Sequence, residues 1–200
     1  MAVILDITIS LDGFVTAPNA GPDNGLGDDG LALHAWAIGD RTPEDLAILA
    51  GAEGATGAVV MGRNTFDVVD GPHGWNDTMH YGADQGDAAA QPPCFVVTHE
   101  APAHVRLTDR MTIVTTGLRD AIAQAVAVAG DKHAVIMGGG SIGGQALRDG
   151  LVDRLHLHVA PLLLGAGTPL FDGPRVALRL DEDATLVTRN AAHLFYDVVR

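Results

Sequence analysis

Three consecutive glycines, Gly138 to Gly140, stand where the apolar run HAVIM ends and a helical pattern begins. Glycine reaches backbone angles that other residues avoid, and it lets a ligand approach the main chain closely. Ser141 follows as the expected helix N-cap, and the first amides of a helix have no partner within that helix. Such amides, together with the helix dipole, bind phosphate groups. A tight strand-to-helix turn is the alternative, and three glycines in a row favour the phosphate site.

The same segment has the spacing G-x-G-x-x-G over residues 138–143. A dinucleotide-binding Rossmann unit also needs an acidic residue about 20 positions later, which holds a ribose hydroxyl. Residues 156–163 read HLHVAPLL and contain no acid. The pattern therefore favours a nucleotide-binding fold of another kind.

Two further junctions carry groups that suit a phosphate. The run GAVVMG ends at Gly62, and Arg63 and Thr65 follow at the expected start of a helix. The planar guanidinium of Arg63 matches a phosphate, although a solvated arginine beside a capped helix fits the pattern equally well. The run CFVVTH ends in Thr98 and His99, a hydroxyl and an imidazole. Because ligands in open α/β sheets bind beyond the carboxyl ends of the strands, we expect these junctions to form one site.

These junctions require parallel strands to position them. Short apolar runs alternate with helical patterns over the first three quarters of the chain, which is typical of parallel β-α units covered on both faces. The late segments RVALRL, ATLVTR and HLFYDVV are joined by short turns, so we expect antiparallel strands there. The predicted fold class is α/β, with a mixed, mostly parallel central sheet, helices on both faces and antiparallel C-terminal strands. We predict a single domain over residues 1–200.

Composition narrows the classes of partner and the cellular location. The 200 residues carry a net charge of -13, which disfavours nucleic acid and anionic membranes because both attract Lys and Arg. No run reaches the roughly 18 apolar residues of a membrane helix, and the start MAVILDITISLDG lacks a basic leader. We therefore predict a cytoplasmic protein that binds a small molecule. The single cysteine, Cys94, rules out an intramolecular disulfide and reads as a small core residue.

His156 and His158 lie two residues apart, so they share one face of an expected strand. A metal site would need a third ligand, and the neighbouring sequence offers none. We predict no metal and expect these histidines to be satisfied by hydrogen bonds. Trp36 could stack on a planar ligand, but core packing is its default interpretation.

Taken together, GRNTF, FVVTH and VIMGGGSIGGQAL resemble segments of the dihydrofolate reductase superfamily. The likeness is greatest to the branch similar to the reductase domain of bifunctional riboflavin-biosynthesis deaminase-reductases, and ISLDGFV and AAHLFYDVV extend it over nearly the whole chain. The resemblance implies a mixed eight-stranded sheet with NADPH or NADP bound across its strand ends. It also implies a homodimeric reductase that transfers a hydride to a C=N or C=O group of a small, pterin- or pyrimidine-like substrate.

The resemblance also implies roles for individual residues. The segment 139–142 would meet the pyrophosphate and nicotinamide side of the cofactor, and Arg63 and Thr65 the pyrophosphate or the adenosine 2′-phosphate. The pair at 98–99 would line the 2′-phosphate region. The complete cofactor-binding set is Ala17, Gly62, Arg63, Thr65, Thr98, His99, Gly138, Gly139, Gly140, Ser141, Ile142 and Gln145.

Within this set, the backbone of Ala17 would contact the nicotinamide amide, and Gln145 would point into the cofactor groove. The substrate candidates are Asp12, Asp28 and His34, and the sequence names neither a catalytic residue nor a proton donor. Two alternatives stay open. One is a reductase of a riboflavin-precursor ribosylamine of the 5-amino-6-ribosylaminouracil 5′-phosphate type, and the other is a non-catalytic NADPH-binding protein.

Overall fold

The structure is a computed structural model that describes residues 1–84 and 90–199. In this part of the chain most strands are short and apolar, as the sequence pattern indicates. The strands are β1 (Val3–Ser10), β2 (Phe14–Thr16), β3 (Thr56–Gly62), β4 (Cys94–Val97), β5 (Met111–Val114), β6 (His133–Met137), β7 (Arg154–Ala160), β8 (Thr168–Pro169), β9 (Ala177–Leu180), β10 (Leu186–Val187) and β11 (Ala192–Val199).

The helices connect these strands. They are a 3-10 helix (Gly30–His34), α1 (Ala35–Ile38), α2 (Pro43–Ala55), α3 (Arg63–Val69), α4 (Leu118–Ala129) and α5 (Gly140–Arg148). No helix in the described ranges is both long enough and apolar enough to cross a membrane.

Nine of the described strands form one sheet in the order β10-β11-β7-β1-β6-β3-β4-β5, with β9 also paired to β11. The strands from β7 to β5 pair in parallel, whereas β11 runs antiparallel to β7, β9 and β10. The predicted fold class is therefore confirmed. The resemblance implied eight strands in this sheet, whereas the described part of the chain has nine. The count is one higher because β9 and the short β10 both pair with β11. A separate two-stranded sheet joins β2 to β8.

Helices cover both faces of the sheet because the central strands alternate between two apolar clusters. In β3, Val60 packs with Ile122 of α4 and Ala146 of α5 in one cluster. The neighbouring Met61 packs with Phe66 of α3 in the other cluster. Because successive side chains of a strand point to opposite faces, both faces of β3 are buried. This pattern explains why these strands read as continuous apolar runs.

Two helix starts show how local chemistry sets the boundaries. Thr42 caps α2 in a reciprocal capping box with Asp45, and Pro43 occupies the first turn, as the sequence predicts. At α5 the expected N-cap was wrong, because the cap is Gly139 and Ser141 lies inside the first turn. Gly139 has φ 71° and ψ 107°, a conformation that serine rarely adopts, so the glycine has to make this turn.

Candidate functional site

The carboxyl ends of four adjacent parallel strands form the edge that carries the site. The neighbours β1, β6, β3 and β4 end at Ser10, Met137, Gly62 and Val97. The next residues along the chain are therefore Gly138–Gly140 after β6, which we call the glycine loop, Arg63 after β3 and Thr98 after β4. The structure thus brings the three predicted junctions to one edge, which is where ligands bind in open α/β sheets.

The glycine loop and the start of α3 lie directly against each other. Gly138 and Gly139 have φ angles of 68° and 71°. A Cβ placed on Gly138 would stand 3.0 Å from the Thr65 hydroxyl oxygen, and one on Gly139 would stand 3.4 Å from the same atom. Only glycine combines these angles with this close approach. The loop therefore presents bare main chain beside a threonine hydroxyl.

The first turn of α5 adds backbone amides to this surface. The Gly143 amide donates to the Gly139 carbonyl oxygen at 3.0 Å, so the amides of residues 140–142 precede the helical hydrogen-bond ladder. Ser141 and Gln145 are exposed one turn apart on this helix. Together with the helix dipole, this end of α5 can accept a phosphate group.

Two glycines of the predicted set are explained by packing alone. A Cβ on Gly62 would stand 2.5 Å from the Ile142 side chain, so this glycine lets α5 approach β3. Gly140 is buried, and a Cβ there would collide with the carbonyl oxygen of Pro169 in β8. The structure therefore requires both glycines whether or not a ligand binds.

The Arg63 and Thr98 side chains converge on one acceptor. Arg63 Nη1 lies 3.4 Å from the Glu100 carbonyl oxygen, and the Thr98 hydroxyl donates to the same oxygen at 2.8 Å. Arg63 Nε donates to Asp67 Oδ1 at 2.7 Å, and the side chain is 41% exposed. His99, next to Thr98, is exposed. The Arg63 and Thr98 side chains are therefore close together, with His99 next along the chain. The donors that remain for a ligand are the guanidinium N–H groups not bonded within the protein and the His99 ring.

Ala17 and Asp28 hold together the loop that follows β2. The Ala17 amide donates to the Leu26 carbonyl oxygen at 2.8 Å, and Ala17 is only 2% exposed, so this residue is packed inside its own loop. Asp28 accepts hydrogen bonds from the Asn19 and Asn24 side chains at 2.7 and 3.0 Å. The Asp28 carboxylate thus has a clear role in ordering this loop, although it stays exposed.

Asp12 joins β1 to the segment after β7. Its carboxylate accepts hydrogen bonds from the Ser10 hydroxyl at 2.5 Å and from the amides of Leu164 and Gly165 at 3.1 and 2.7 Å. The bond from Ser10, followed by those from the two amides, lowers the pKa of Asp12 to about 2 against the effect of burial. Asp12 is therefore an ionised carboxylate that hydrogen-bonds two loops together beyond the C-terminal end of β1.

His34 is the substrate candidate with an unused buried atom. It ends the 3-10 helix, and its Nδ1 is buried without a hydrogen-bond partner in the described part of the chain. Burial, and then the charge of His158, lowers the pKa of His34 to about 4. At neutral pH His34 is therefore an uncharged imidazole that can bind a polar group of a ligand.

A hydrogen-bonded chain of four side chains, three of them buried and Asp6 partly exposed, was missed by sequence reasoning, apart from His158. His158 Nδ1 lies 2.7 Å from His193 Nδ1, His158 Nε2 lies 3.2 Å from Asp6 Oδ1, and His193 Nε2 lies 3.1 Å from Asp45 Oδ1. The expectation that His158 is satisfied by hydrogen bonds is thus confirmed. One signal for the rest was present, since Asp6 is an acid inside the apolar run VILDITIS.

Other sequence expectations concern metals and the core. Among the described residues, no three His, Cys, Asp or Glu side chains are grouped so that they could hold a metal ion. Cys94 is buried, and burial raises the pKa of its thiol to about 12, so it is the core residue that was predicted. Trp36 is likewise buried, and its indole N–H donates to the Thr8 hydroxyl at 3.0 Å.

Solved structures of related fold support the architecture. A protein assigned to riboflavin biosynthesis from Shewanella sp. PV-4 superposes with a TM-score of 0.70 at 24% identity, over 100% of both chains. RibD of Acinetobacter baumannii gives 0.65 at 16% identity, with 100% of this chain covering 58% of that one. A pyrimidine reductase-like protein of Corynebacterium diphtheriae gives 0.56 at 21% identity, over 99% and 91% of the two chains.

The comparison with protein families extends over almost all of the sequence. The family described as the RibD C-terminal domain matches residues 1–194, whereas no curated protein matches the chain. This match confirms the resemblance that the glycine loop and its partner junctions indicated. The chain belongs to the RibD C-terminal domain family.

Proposed function

We propose that the protein is a reductase that uses NADPH and transfers a hydride to a C=N or C=O carbon of a small pyrimidine-like substrate. The observation that carries this proposal is the contact between the bare main chain at Gly138 and Gly139 and the hydroxyl of Thr65. Family membership and the likeness to RibD and to a pyrimidine reductase-like protein support an oxidoreductase of the riboflavin pathway.

The residues that follow the C-terminal ends of the parallel strands suit the binding of a dinucleotide. Side chains on Gly138 and Gly139 would stand 3.0 and 3.4 Å from Thr65 Oγ1, so the loop keeps bare main chain there, and the amides at the start of α5 that precede the helical hydrogen-bond ladder suit a pyrophosphate. When bound, NADPH would supply the hydride from its reduced nicotinamide ring. The protein's contribution would be to bind and orient the two reactants and to exclude water. Gln145 is exposed on α5 and would contact the cofactor from there, whereas Ala17 is only 2% exposed and is not assigned a contact.

The choice of NADPH over NADH rests on the donors after β3 and β4. A 2′-phosphate adds negative charge, which a protein with a net charge of -13 accepts only where local donors oppose the overall field. The Arg63 guanidinium and the exposed His99 ring are such donors, and no acid stands at 156–163 to hold a free ribose hydroxyl. We therefore assign the 2′-phosphate to the Arg63 guanidinium and the His99 ring.

The substrate would lie near the 3-10 helix, where His34 offers its buried ring nitrogen. A uracil ring carries N–H and carbonyl groups that can pair with an uncharged imidazole. This chemistry suits a pyrimidine, and the likeness to riboflavin-biosynthesis proteins supports a ribosylaminouracil phosphate as the specific substrate. Asp12 and Asp28 are assigned to loop structure instead, since their carboxylates are already occupied.

The test is a set of titrations with NADPH and NADH on the wild type, Arg63→Ala and the exposed control Arg175→Ala. A charge-assisted hydrogen bond is worth roughly 1.5–3 kcal/mol, so Arg63→Ala should weaken NADPH on the order of tenfold to a hundredfold. NADH and the control should change little. Equal affinity of the wild type for both nucleotides would refute the NADPH assignment.

Turnover is tested separately by NADPH oxidation with 5-amino-6-ribosylaminouracil 5′-phosphate as substrate. Oxidation that requires this substrate would support the reductase. Tight NADPH binding without oxidation by this compound or by a panel of imines and carbonyls would instead favour the non-catalytic alternative.

We further propose that the protein forms a homodimer through the edge made by β9, β10 and β11. All four residues of β9 are exposed, although two of them are leucines. Four large apolar side chains on this edge are 40–71% exposed, namely Leu178, Leu180, Val187 and Val199. An exposed apolar patch next to unpaired strand edges is typical of an interface between protein chains.

A further inference from the structure

A cavity lies between the C-terminal part of α2 and the central sheet. Its volume is about 260 Å³, and most of the residues in its wall are apolar. The helix contributes Ala52, and the sheet contributes Ile4 of β1, Val135 of β6 and Phe195 of β11. An apolar cavity of about 150 Å³ holds a benzene molecule. This cavity therefore has room for a single aromatic ring with a small substituent.

The cavity is separate from the edge formed by the C-terminal ends of the parallel strands. Asp6 lies in its wall and precedes the end of β1 at Ser10 by four residues, or about 13 Å at a rise of roughly 3.3 Å per residue. Thr8 stands between these two residues on the same face of β1, and its hydroxyl accepts the Trp36 indole N–H. The Trp36 ring lies 4.2 Å from the His158 ring, centroid to centroid, and all three side chains are at most 5% exposed. This buried layer separates a ligand in the cavity from one bound at the strand ends.

One polar atom in the wall has capacity for a hydrogen bond from a ligand. Asp6 Oδ1 lies 3.2 Å from His158 Nε2, whereas Asp6 Oδ2 lies 3.5 Å from His156 Nδ1, at the outer limit of a hydrogen bond. Within the described ranges of the chain, Oδ2 has no closer donor. Burial would raise the pKa of Asp6, but its interactions with the two histidines outweigh burial and lower that pKa, so the carboxylate is ionised. A ligand hydroxyl can therefore donate to Oδ2, and hydrogen bonds to an ionised acceptor are short and strong.

The charged groups around the cavity favour a neutral ligand. The wall contains one carboxylate, that of Asp6, and one guanidinium, that of Arg154, which lies 3.5 Å from the Asp197 carboxylate. An anionic ligand would meet the like charge of Asp6, and a cationic ligand would meet that of Arg154, in a space with little water to screen either. A neutral hydroxyl avoids both repulsions. The other polar side chains in the wall are those of His133, His156 and Thr56.

Two aromatic side chains form the sheet side of the cavity next to Asp6. The rings of His156 and Phe195 meet edge to face, with their centroids 4.8 Å apart and an angle of 72° between their planes. Aromatic rings pack favourably on one another in such arrangements. On the helix side the wall includes the small side chains of Ala52 and Ala55, which leave the space between helix and sheet open. The two walls therefore suit a planar ring.

We propose that this cavity is a second ligand site, which binds a neutral molecule with one aromatic ring and one hydroxyl group. The ring packs between α2 and the His156–Phe195 pair, and the hydroxyl donates a hydrogen bond to Asp6 Oδ2. The inference does not rest on the proposed function, because no residue of the cavity wall belongs to the strand ends that carry the cofactor residues.

Phenol is the probe for this site, and ¹H–¹⁵N NMR spectra of the full chain are recorded as it is added, without NADPH. The expected result is a saturable shift of the backbone amide signals of Ala52, Val135 and Phe195. Toluene has no donor, and benzoate and benzylamine each meet a like charge, so these three compounds should bind at least about tenfold more weakly. The absence of saturable shifts with phenol, or an equal affinity for toluene, would overturn the proposal.

The location is tested by filling the cavity. Ala52→Leu and, as a second variant from the same wall, Ala55→Leu should abolish phenol binding, and thermal unfolding shows that each variant is folded. Ala50→Leu is the matched control, because Ala50 is exposed on the same helix and does not line the cavity, so this variant should bind phenol as the wild type does. NADPH affinity should be the same in all of these proteins. Phenol binding that persists in the folded cavity variants would overturn the proposal, whereas a failure of every protein to bind NADPH would count against the proposed function alone.

Discussion

The hydroxyl of Thr65 lies against the main chain at Gly138, so that a Cβ on this glycine would stand 3.0 Å from Thr65 Oγ1. The two residues are 73 positions apart in the sequence, but they meet because β3 and β6 are parallel neighbours that end at the same edge. A loop in this conformation has no side chain to block a ligand. The contact thus brings two of the predicted junctions together at one edge of the sheet.

The first prediction concerns Gly139→Ala. Alanine at the positive φ of Gly139 should cost about 1–2 kcal/mol of stability, and its methyl group, 3.4 Å from Thr65 Oγ1, should weaken NADPH by at least tenfold because it would cover the main chain proposed to meet the pyrophosphate. Gly150→Ala is the matched control, since Gly150 also has a positive φ and a Cβ there meets nothing within 4 Å. Isothermal titration and urea unfolding measure both effects. Equal NADPH affinity in the two variants would show that the loop is only a turn.

The second prediction concerns Asp67→Asn, which frees Arg63 from its ion pair. NADPH should bind up to about fivefold more tightly, because an exposed pair of this kind is worth at most about 1 kcal/mol. NADH affinity should not change if Arg63 meets only the 2′-phosphate. Asp183→Asn, an exposed acid in the turn after β9, controls for the change in net charge. An equal gain with the control would attribute the effect to net charge alone.

The third prediction is a loss of stability in mild acid. His34 has its pKa lowered from 6.5 to about 4, so its contribution is complete above pH 6.5 and is lost as the pH falls toward 4. The slope from one such group is at most about 1.4 kcal/mol per pH unit. The pKa values of Asp6 and Asp45 are lowered from 3.8, so the contributions of these two groups to stability are lost only as the pH falls below 3.8. Urea unfolding between pH 7 and 4.5 measures the slope.

The control for this prediction is His34→Gln, which cannot titrate. Its stability should fall less steeply than that of the wild type between pH 6.5 and 4.5. Identical slopes in the two proteins would show that His34 is not held neutral by the fold.

The fourth prediction concerns the β9 edge. Leu178→Glu and Leu180→Glu should each shift the protein from dimer to monomer at micromolar concentration, because a carboxylate would be buried without a partner in the interface. Val128→Glu, on an α4 residue that is 55% exposed, should leave the assembly unchanged. Light scattering with size-exclusion chromatography measures the mass. A wild-type monomer would remove the proposal.

Local sequence was sufficient for the features that depend on neighbours along the chain. The apolar runs ending at Gly62 and Met137 predicted parallel strands because a strand covered on both faces excludes polar side chains. Thr42 and Pro43 predicted the start of α2 because a capping box involves only residues three apart. The order of these elements, with polar or glycine residues after each strand, was enough to predict that Arg63, Thr98 and the glycine loop share one edge.

Only the tertiary structure decided which atoms are available and which distant groups pair. It showed that Gly62 and Gly140 are needed for packing, and that the Ala17 amide is already used within its own loop. His158 and His193 pair because antiparallel β11 places them opposite each other, and α2 then brings Asp45 to within 3.1 Å. These residues lie 35 and 148 positions apart, and no local pattern encodes such a pairing. The cost of burying an unpaired charge fixes the pairing once the strands align, so it is a property of the assembled sheet.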